Sequence, residues 1–386
     1  MKCLLSRDAL KIEVSPIERV SSLIKDENTI NLAGGSPDPS FIPVNEIREA
    51  FNEIIEEYGA KAFFYPGAGG LEELKKELSK WCDDLSVGVG PSELVVTSGA
   101  QHAMTLLSQA LLSKEEFAHE NPTFVETMNP LKFYGGSNLL VSVDSDGMRT
   151  VELEEKIRGG HSPKVVYTVP TCHNPSGVTM THERRKHLVE LAEKHNFLII
   201  EDDPYRPIAQ EQPQTLYSMT KSENVVYVGS MSKAVAPGLR IGFVVTRNDE
   251  LAEKLRELQQ MDFSTSTSNQ LTMARLLKKK IVQSRLGQLR RHYREKLGIL
   301  LQSLTENRMD TVFQPRDGFF TLVDVKTDVE KLLTVSLLMG VAFVPGRNFY
   351  FNEAGSTYIR LSVGPVDKSK IIEGVNRLRR ALGEIE

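Results

Sequence analysis

Apolar positions along this chain repeat with two different periods. Ile47, Phe51, Ile54, Ile55 and Tyr58 recur at helical spacing and share one face of a predicted helix. Leu71, Leu74, Leu78 and Trp81 mark a second helix. From there, short apolar runs alternate with helical patterns. "ELVVTSG" precedes a helix from about Ala100, "NLLVSV" precedes "VELEEKIRG", and "KVVYTVP" precedes "THERRKHLVELAEKH"; "FLIIEDD" and "VVYVGS" follow. Continuous β-branched runs separated by helices predict a mostly parallel sheet covered on both faces. The pattern changes after about residue 262. A long polar helical tract, 268–306, leads to short runs, "GFFTLVDV" and "TYIRLSV", and a last helix from about Asp367. This predicts a smaller α+β unit. The turn-rich "INLAGGSPDPSFIP" (30–43) reads as a junction.

Length supports two units: 386 residues exceed the roughly 250–300 at which single cores stop growing. We divide the chain into a large unit, 44–275, and a small one formed by 1–43 and 276–386. Charge narrows the partners. Lys plus Arg number 47 against 51 Asp plus Glu, a net charge of −4, which argues against nucleic-acid or anionic-membrane binding. The dense basic run Lys278, Lys279, Lys280 reads as a solvated helix face. Three cysteines, Cys3, Cys82 and Cys172, match neither a zinc site nor a redox pair. No apolar stretch is long enough to span a bilayer, and charge interrupts the start before any signal-peptide core. These features predict a soluble, reduced, cytoplasmic protein. The eight histidines show no HExxH spacing, so no metal is expected. "PGAGGLEELK" imitates a phosphate loop, but its spacing fits neither common glycine fingerprint; it reads as a turn that positions Tyr65.

In open α/β sheets, ligands sit beyond the carboxyl ends of strands. The predicted strands end in Ser98-Gly99-Ala100-Gln101, in "TCHNPSG" with Asn174, in Asp202, Asp203 and Tyr205, and in Ser230, Ser232 and Lys233 followed by Arg240. A lysine amine suits an aldehyde. Arginine, hydroxyls and backbone N–H groups at a helix start suit a phosphate. A carboxylate facing a pyridine nitrogen would keep it protonated, and a protonated ring is an electron sink for bonds at an amino acid's α-carbon. An amide and a phenol suit a phenolate oxygen. Together these groups describe pyridoxal 5'-phosphate.

The motifs "SMSKAVAPGLRIGF", "PTCHNPSG", "EDDPY", "TSGAQHAM", "FFYPGAGG" and "YIRLSV" lie in order over nearly the whole chain. With them the sequence resembles the fold-type I, pyridoxal-phosphate-dependent class I aminotransferases, in particular the aminoadipate, kynurenine and aromatic branch. The resemblance implies an α/β fold: a large domain with a mostly parallel seven-stranded sheet flanked by helices, plus a smaller α+β domain. It also implies roles. Lys233 would carry the cofactor as a Schiff base and then shuttle the proton. Asp202 would face the ring nitrogen, with Asp203 its exposed neighbour, and Asn174 and Tyr205 would bind the phenolate oxygen. Ser230, Ser232 and Arg240 would hold the phosphate with Ser98, Gly99, Ala100 and Gln101, and Phe124 would stack on the ring. Arg360 would clamp the substrate α-carboxylate, assisted by Asn174 and the backbone at Gly35. Tyr65 would reach the phosphate of a partner subunit, implying a homodimer with shared sites.

The expected reaction moves an amino group from an aromatic, long aliphatic or 2-aminoadipate-like L-amino acid to a 2-oxo acid, 2-oxoglutarate being the expected acceptor. The alternatives are a lyase on the same scaffold, or a ligand-sensing regulator domain. The latter is disfavoured because little more than thirty residues precede "NLAGG". Some motif positions depart from the family pattern: His119 and His173 receive no role. The slot where relatives place an arginine for a distal carboxylate falls on Glu18, next to Arg19.

Overall fold

The structure is a computed structural model; it describes residues 4, 6, 10, 12 and 14–385. Cys3 therefore lies outside the described residues. The predicted strands form seven principal strands of one sheet: β1 (Leu94–Thr97), β2 (Phe117–Asn121), β3 (Asn138–Asp144), β4 (Val165–Thr168), β5 (Leu198–Asp202), β6 (Val225–Ser230) and β7 (Gly242–Val245). Their spatial order is β1-β7-β6-β5-β4-β2-β3, and a two-residue strand, Gly147–Met148, adds an eighth member beside β3. Neighbours from β6 through β3 run parallel, whereas β7 is antiparallel to both β6 and β1.

The continuous apolar runs follow from burial on both faces. Val226, Val228 and Val244 belong to one core, and Val225, Tyr227 and Val245 belong to the other. The first core continues into the C-terminal part through Phe319, Phe320 and Leu361. There an antiparallel sheet, ordered 310–311, 320–324, 358–362, 344–345, packs with the 26-residue helix Ile281–Glu306 and the helix Lys368–Gly383. The segment Ile30–Asn31 pairs in parallel with Val341–Ala342, tying the N-terminal stretch to this part.

Two sequence expectations change. The tract 268–306 is two helices, Thr267–Lys278 and Ile281–Glu306, broken where Lys280 adopts φ 57. Ser268, Gln270 and Thr272 of the first are buried, while the basic run Lys278, Lys279 and Lys280 is exposed, as the sequence suggested. In the helix Val44–Tyr58 the buried positions are Ala50 and Ile54, while Ile55, one residue round the helix, is exposed. Among the described residues no helix is long and apolar enough to cross a membrane, and no cluster of metal-ligating side chains occurs.

Candidate active site

The ends of β4, β5 and β6 and the start of the helix Ala100–Leu111 open onto one cavity of about 340 Å³. Ala100, Gln101, Phe124, Asp202, Tyr205, Ser230, Ser232, Lys233 and Arg240 all line it. Thus most residues singled out from the strand ends converge, although they lie up to 140 positions apart in the chain.

Asp202 ends β5 and is buried. One of its carboxylate oxygens accepts from the Tyr167 hydroxyl at 2.9 Å; the other, Oδ1, has no partner. A buried carboxylate oxygen without a donor is costly unless a ligand supplies one. Burial drives the Asp202 pKa up to about 7, the charges of Asp203 and Glu120 push the same way, and the Tyr167 hydrogen bond and Lys233 oppose them. Tyr167 went unnoticed in the sequence because "KVVYTVP" reads as plain strand. On β4 it stands opposite Ile200 of β5, so it shares the pleat of Asp202 two residues on. Thr127 Oγ1, also missed, lies 3.2 Å from the same phenol.

Lys233 follows β6, and its Nζ donates to the Gly35 carbonyl at 2.8 Å. Burial, followed by the Arg360 and Arg240 charges, lowers its pKa to about 8, so a neutral amine is within reach near physiological pH.

Arg240, after the turn at Pro237–Leu239, donates through Nη2 to the Ser98 carbonyl at 3.0 Å and through Nη1 to the Pro237 carbonyl at 3.2 Å. Gly99 has φ 80, and a Cβ there would sit 2.6 Å from Arg240 Nη2. Only glycine admits the guanidinium beside the N-terminus of the helix Ala100–Leu111, where backbone N–H groups and the helix dipole favour an anion. Ser230 and Ser232 face each other at the same mouth, the Ser232 N–H donating to Ser230 Oγ at 3.2 Å.

Arg360 lies in the strand Tyr358–Ser362 and is fully buried. It sits between the rings of Phe320 and Phe349, at 4.8 and 4.9 Å. Nη1 donates to Asn174 Oδ1 at 3.0 Å, Nη2 donates to the Ala33 carbonyl, and Nε has no partner. No carboxylate pairs with it among the described residues, and burial lowers its pKa to about 10. Asn174 also donates to the Tyr205 hydroxyl at 3.3 Å, so one amide links the buried guanidinium to the phenol.

Tyr65 does not line this cavity. It is 84% exposed and packs against Phe263 at 5.2 Å between ring centroids. Asp203 corrects the expectation of an exposed neighbour: it is buried, with Arg206 Nη1 at 3.8 Å from its Oδ2. The unassigned histidines are buried too. His119 Nδ1 lies 2.7 Å from the Glu120 carbonyl, and burial lowers its pKa to about 4. His173 Nδ1 lies 2.7 Å from Ser176 Oγ in the loop that carries Asn174, and its Nε2, which makes no hydrogen bond, stands 3.3 Å from Glu120 Oε2.

A mostly parallel α/β sheet whose strand ends present a buried amine, an anion cradle and an unpartnered buried carboxylate oxygen, with a buried guanidinium of the C-terminal sheet that has no carboxylate partner among the described residues, defines a class: proteins that hold a phosphorylated aldehyde and an amino acid together. The donor set fits pyridoxal phosphate on the Asp202 and Gly99 observations alone. Residues 27–378 match the family model described as aminotransferase class I and II. The chain is 30% identical to a 2-aminoadipate transaminase of Thermus thermophilus, over 97% of this chain and 96% of the relative. It is 29% identical to aromatic-amino-acid aminotransferase 1 of Thermococcus litoralis, over 98% and 94%. The crystal structure of Pyrococcus horikoshii kynurenine aminotransferase in complex with PMP superposes with a TM-score of 0.92 at 31% identity, covering 99% of this chain and 97% of that one. This chain belongs to the class I and II aminotransferase family. It is an amino-acid aminotransferase of the pyridoxal phosphate fold type I, and pyridoxal phosphate is its cofactor.

Proposed function

We propose that the protein moves the amino group of an aromatic, long aliphatic or 2-aminoadipate-like L-amino acid to a 2-oxo acid, 2-oxoglutarate among the acceptors. The observation that carries the reading is that Lys233 Nζ, with only a carbonyl partner, and Asp202 Oδ1, with none, line one cavity, while Arg360, linked through Asn174 to the cavity residue Tyr205, has no carboxylate partner among the described residues. Bound pyridoxal phosphate supplies the aldehyde and the electron-accepting ring.

The chain supplies the rest. Lys233 would bind the aldehyde through its amine and, when free, would move the proton at the substrate α-carbon. Asp202 Oδ1 would accept from the ring nitrogen and keep it protonated. Asn174 and Tyr205 would donate to the phenolate oxygen, and Phe124 would pack on the ring. Ser98, Gly99, Ala100, Gln101, Ser230, Ser232 and Arg240 form the phosphate cradle. Arg360 clamps the α-carboxylate in a planar two-pronged pair, with Asn174 and the Gly35 backbone beside it.

The same reading extends to assembly. We assign the parts 44–275 and 1–43 with 276–386 to a large and a small domain, and two copies to the active unit. Phe63, Phe64, Tyr65 and Phe263 are 60–84% exposed and line one surface groove. A surface of this kind favours a second copy over water, and it would carry Tyr65 to the partner's phosphate. Cys82 and Cys172 are free thiols, in keeping with a cytoplasmic location.

The test is a donor panel with 2-oxoglutarate, pyruvate and phenylpyruvate as acceptors, together with borohydride reduction of the yellow protein. Reduction should fix the cofactor to the peptide containing Lys233. Label on another lysine overturns the assignment, and absence of amino transfer from every donor overturns the function.

A further inference from the structure

The cavity amine meets a backbone carbonyl from far away in the chain. Lys233 Nζ donates to the Gly35 carbonyl at 2.8 Å, and two residues earlier the Ala33 carbonyl accepts from Arg360 Nη2. Both carbonyls belong to the turn-rich junction, so their places depend on what holds that junction. Its near end is woven into the C-terminal part. Ile30–Asn31 pairs with Val341–Ala342, and the Ser362 N–H donates to the Leu32 carbonyl at 2.8 Å. Asn31 Oδ1 accepts from the Ala33 and Gly34 N–H groups, each at 3.0 Å. The far end is held at Asp38.

Asp38 is buried. Its Oδ1 accepts from the Ser40 N–H at 3.0 Å and the Ser40 hydroxyl at 2.7 Å, capping the turn Pro39–Phe41. Its Oδ2 accepts from Lys296 Nζ at 2.8 Å and lies 2.9 Å from His292 Nε2. The Asp38 N–H donates to the Tyr293 hydroxyl at 2.8 Å. His292 and Lys296, four residues apart, lie on one face of the helix Ile281–Glu306, with Tyr293 three before Lys296. Burial alone would raise the Asp38 pKa; hydrogen bonds from Lys296, Ser40 and His292 outweigh it and hold the carboxyl well below its ordinary range. Lys296 is fully buried and also donates to the Gly364 carbonyl at 3.0 Å. Gly364 lies against the junction, since a Cβ there would stand 2.3 Å from the Ser36 carbonyl oxygen. One ammonium thus ties Asp38 to the chain just beyond the strand that carries Arg360.

We propose that Asp38 and Lys296 are positioning residues for Lys233: their ion pair fixes the junction, and the Gly35 carbonyl then fixes the free amine. The inference rests on Lys233 moving the proton at the substrate α-carbon, and it adds the pair that sets where that amine stands. Arg360 depends less on the junction, because Asn174 and the rings of Phe320 and Phe349 hold it as well. Loosening the pair therefore slows proton transfer more than it weakens carboxylate binding. A displacement on the order of 1 Å at a reacting group is enough to cost about a hundredfold in rate.

The experiment uses the full-length holoprotein and the variants Lys296→Met, Asp38→Asn and the two combined. Leu304→Ala, buried about two turns further along the same helix, is the control for lost stability alone. The double variant removes both charges and leaves neither member of the pair buried alone, so it covers a failure of a single variant to fold. Hydrogen exchange read by mass spectrometry needs no turnover. Peptides covering residues 31–38 should exchange roughly tenfold faster in the Asp38 and Lys296 variants, and near the wild-type rate in Leu304→Ala. With leucine as donor, kcat should fall roughly tenfold or more while KM stays within about threefold. The isotope effect with α-deuterated leucine, followed by the absorbance of the bound cofactor, should rise as the proton step becomes limiting. Leu304→Ala should keep kcat, KM and isotope effect. Unchanged exchange over 31–38 overturns the proposal. So does faster exchange with unchanged kcat and isotope effect, or a double variant that recovers kcat together with stability, since the pair would then be structural only. A wild type that transfers no amino group from any donor, with exchange over 31–38 still dependent on the pair, would instead count against the aminotransferase reading.

Discussion

At the scale of single residues, two buried groups of opposite charge are each held away from their ordinary titration. Asp202 without cofactor has a pKa of about 7 against an ordinary value of 3.8, because burial penalises its anion. Its folded pKa is raised, so the folded state binds the proton more tightly than the unfolded state. The apoprotein should therefore lose stability as pH rises from about 4 to about 7. A protonated ring nitrogen placed against Oδ1 removes that penalty. The stabilisation conferred by cofactor should then grow over the same window, by up to a few kcal/mol, in calorimetric melts of apo and holo protein. A constant cofactor effect from pH 5 to 7.5 would break the assignment. Asp202→Asn should keep bound cofactor but slow the half-reaction with an amino donor by on the order of a hundredfold or more, the scale of losing one preorganised electrostatic contact. Tyr167→Phe removes the donor to the other carboxylate oxygen and should give a smaller loss of the same sign. Arg360→Lys, which cannot form the planar fork, should lower kcat/KM for donor and oxo acid alike by roughly ten- to a hundredfold, measured in steady state. If that variant instead melts early with normal turnover of its folded fraction, Arg360 is only structural.

At the scale of elements, the loop between β4 and the helix His182–His195 shows why part of the site was legible and part was not. Asn174 was readable because it ends a strand inside a recognisable run. Its support was not, because it comes from three separate places. Glu120, on β2, accepts from Thr168 Oγ1 and the Val169 N–H, each at 2.8 Å, and faces His173. His173 passes the contact on to Ser176, whose Oγ also accepts from the Val178 N–H at 3.3 Å. Pairing across a sheet is invisible in a linear pattern unless the strand order is known. The same holds for Asp203, mistaken for a surface residue when Arg206, one turn on, buries with it. Asp203→Asn should consequently be destabilising rather than mild, because it leaves a buried guanidinium uncompensated. Glu120→Ala should cost about 2–4 kcal/mol of stability, since it strands several buried donors at once. Urea unfolding monitored by circular dichroism checks both, and a midpoint unchanged in Glu120→Ala would show that the loop is braced by other contacts.

At the scale of the molecule, the alternation of apolar runs and helices was enough for the sheet, because strands buried on both faces must be continuously apolar. The assembly was less accessible. Tyr65 is a reasonable phosphate ligand only if a second copy presents it, and nothing within one copy brings it to the cavity. The backbone beside it is held in an uncommon conformation: Phe263 and Ser264 both have positive φ, at 60 and 63. Such a conformation costs free energy unless surrounding contacts impose it. Among the described residues of one copy, Phe263 has only Tyr65 as an aromatic neighbour and remains 60% exposed, so a partner surface is the natural source of those contacts. The phosphate cradle connects to this surface. The Ser98 N–H donates to His102 Nδ1 at 2.9 Å, and His102 Nε2 lies 2.7 Å from Asp262, the residue before Phe263. Association and cofactor retention should therefore be linked. Phe263→Asp should shift the protein toward the monomer in sedimentation and weaken retention of pyridoxal phosphate on dialysis. Tyr65→Phe should weaken retention while leaving the mass unchanged, because it removes one hydroxyl without charging the surface. A Phe263→Asp monomer that keeps its cofactor as tightly as the wild type would show that each copy holds the phosphate unaided, and Tyr65 would lose its proposed role.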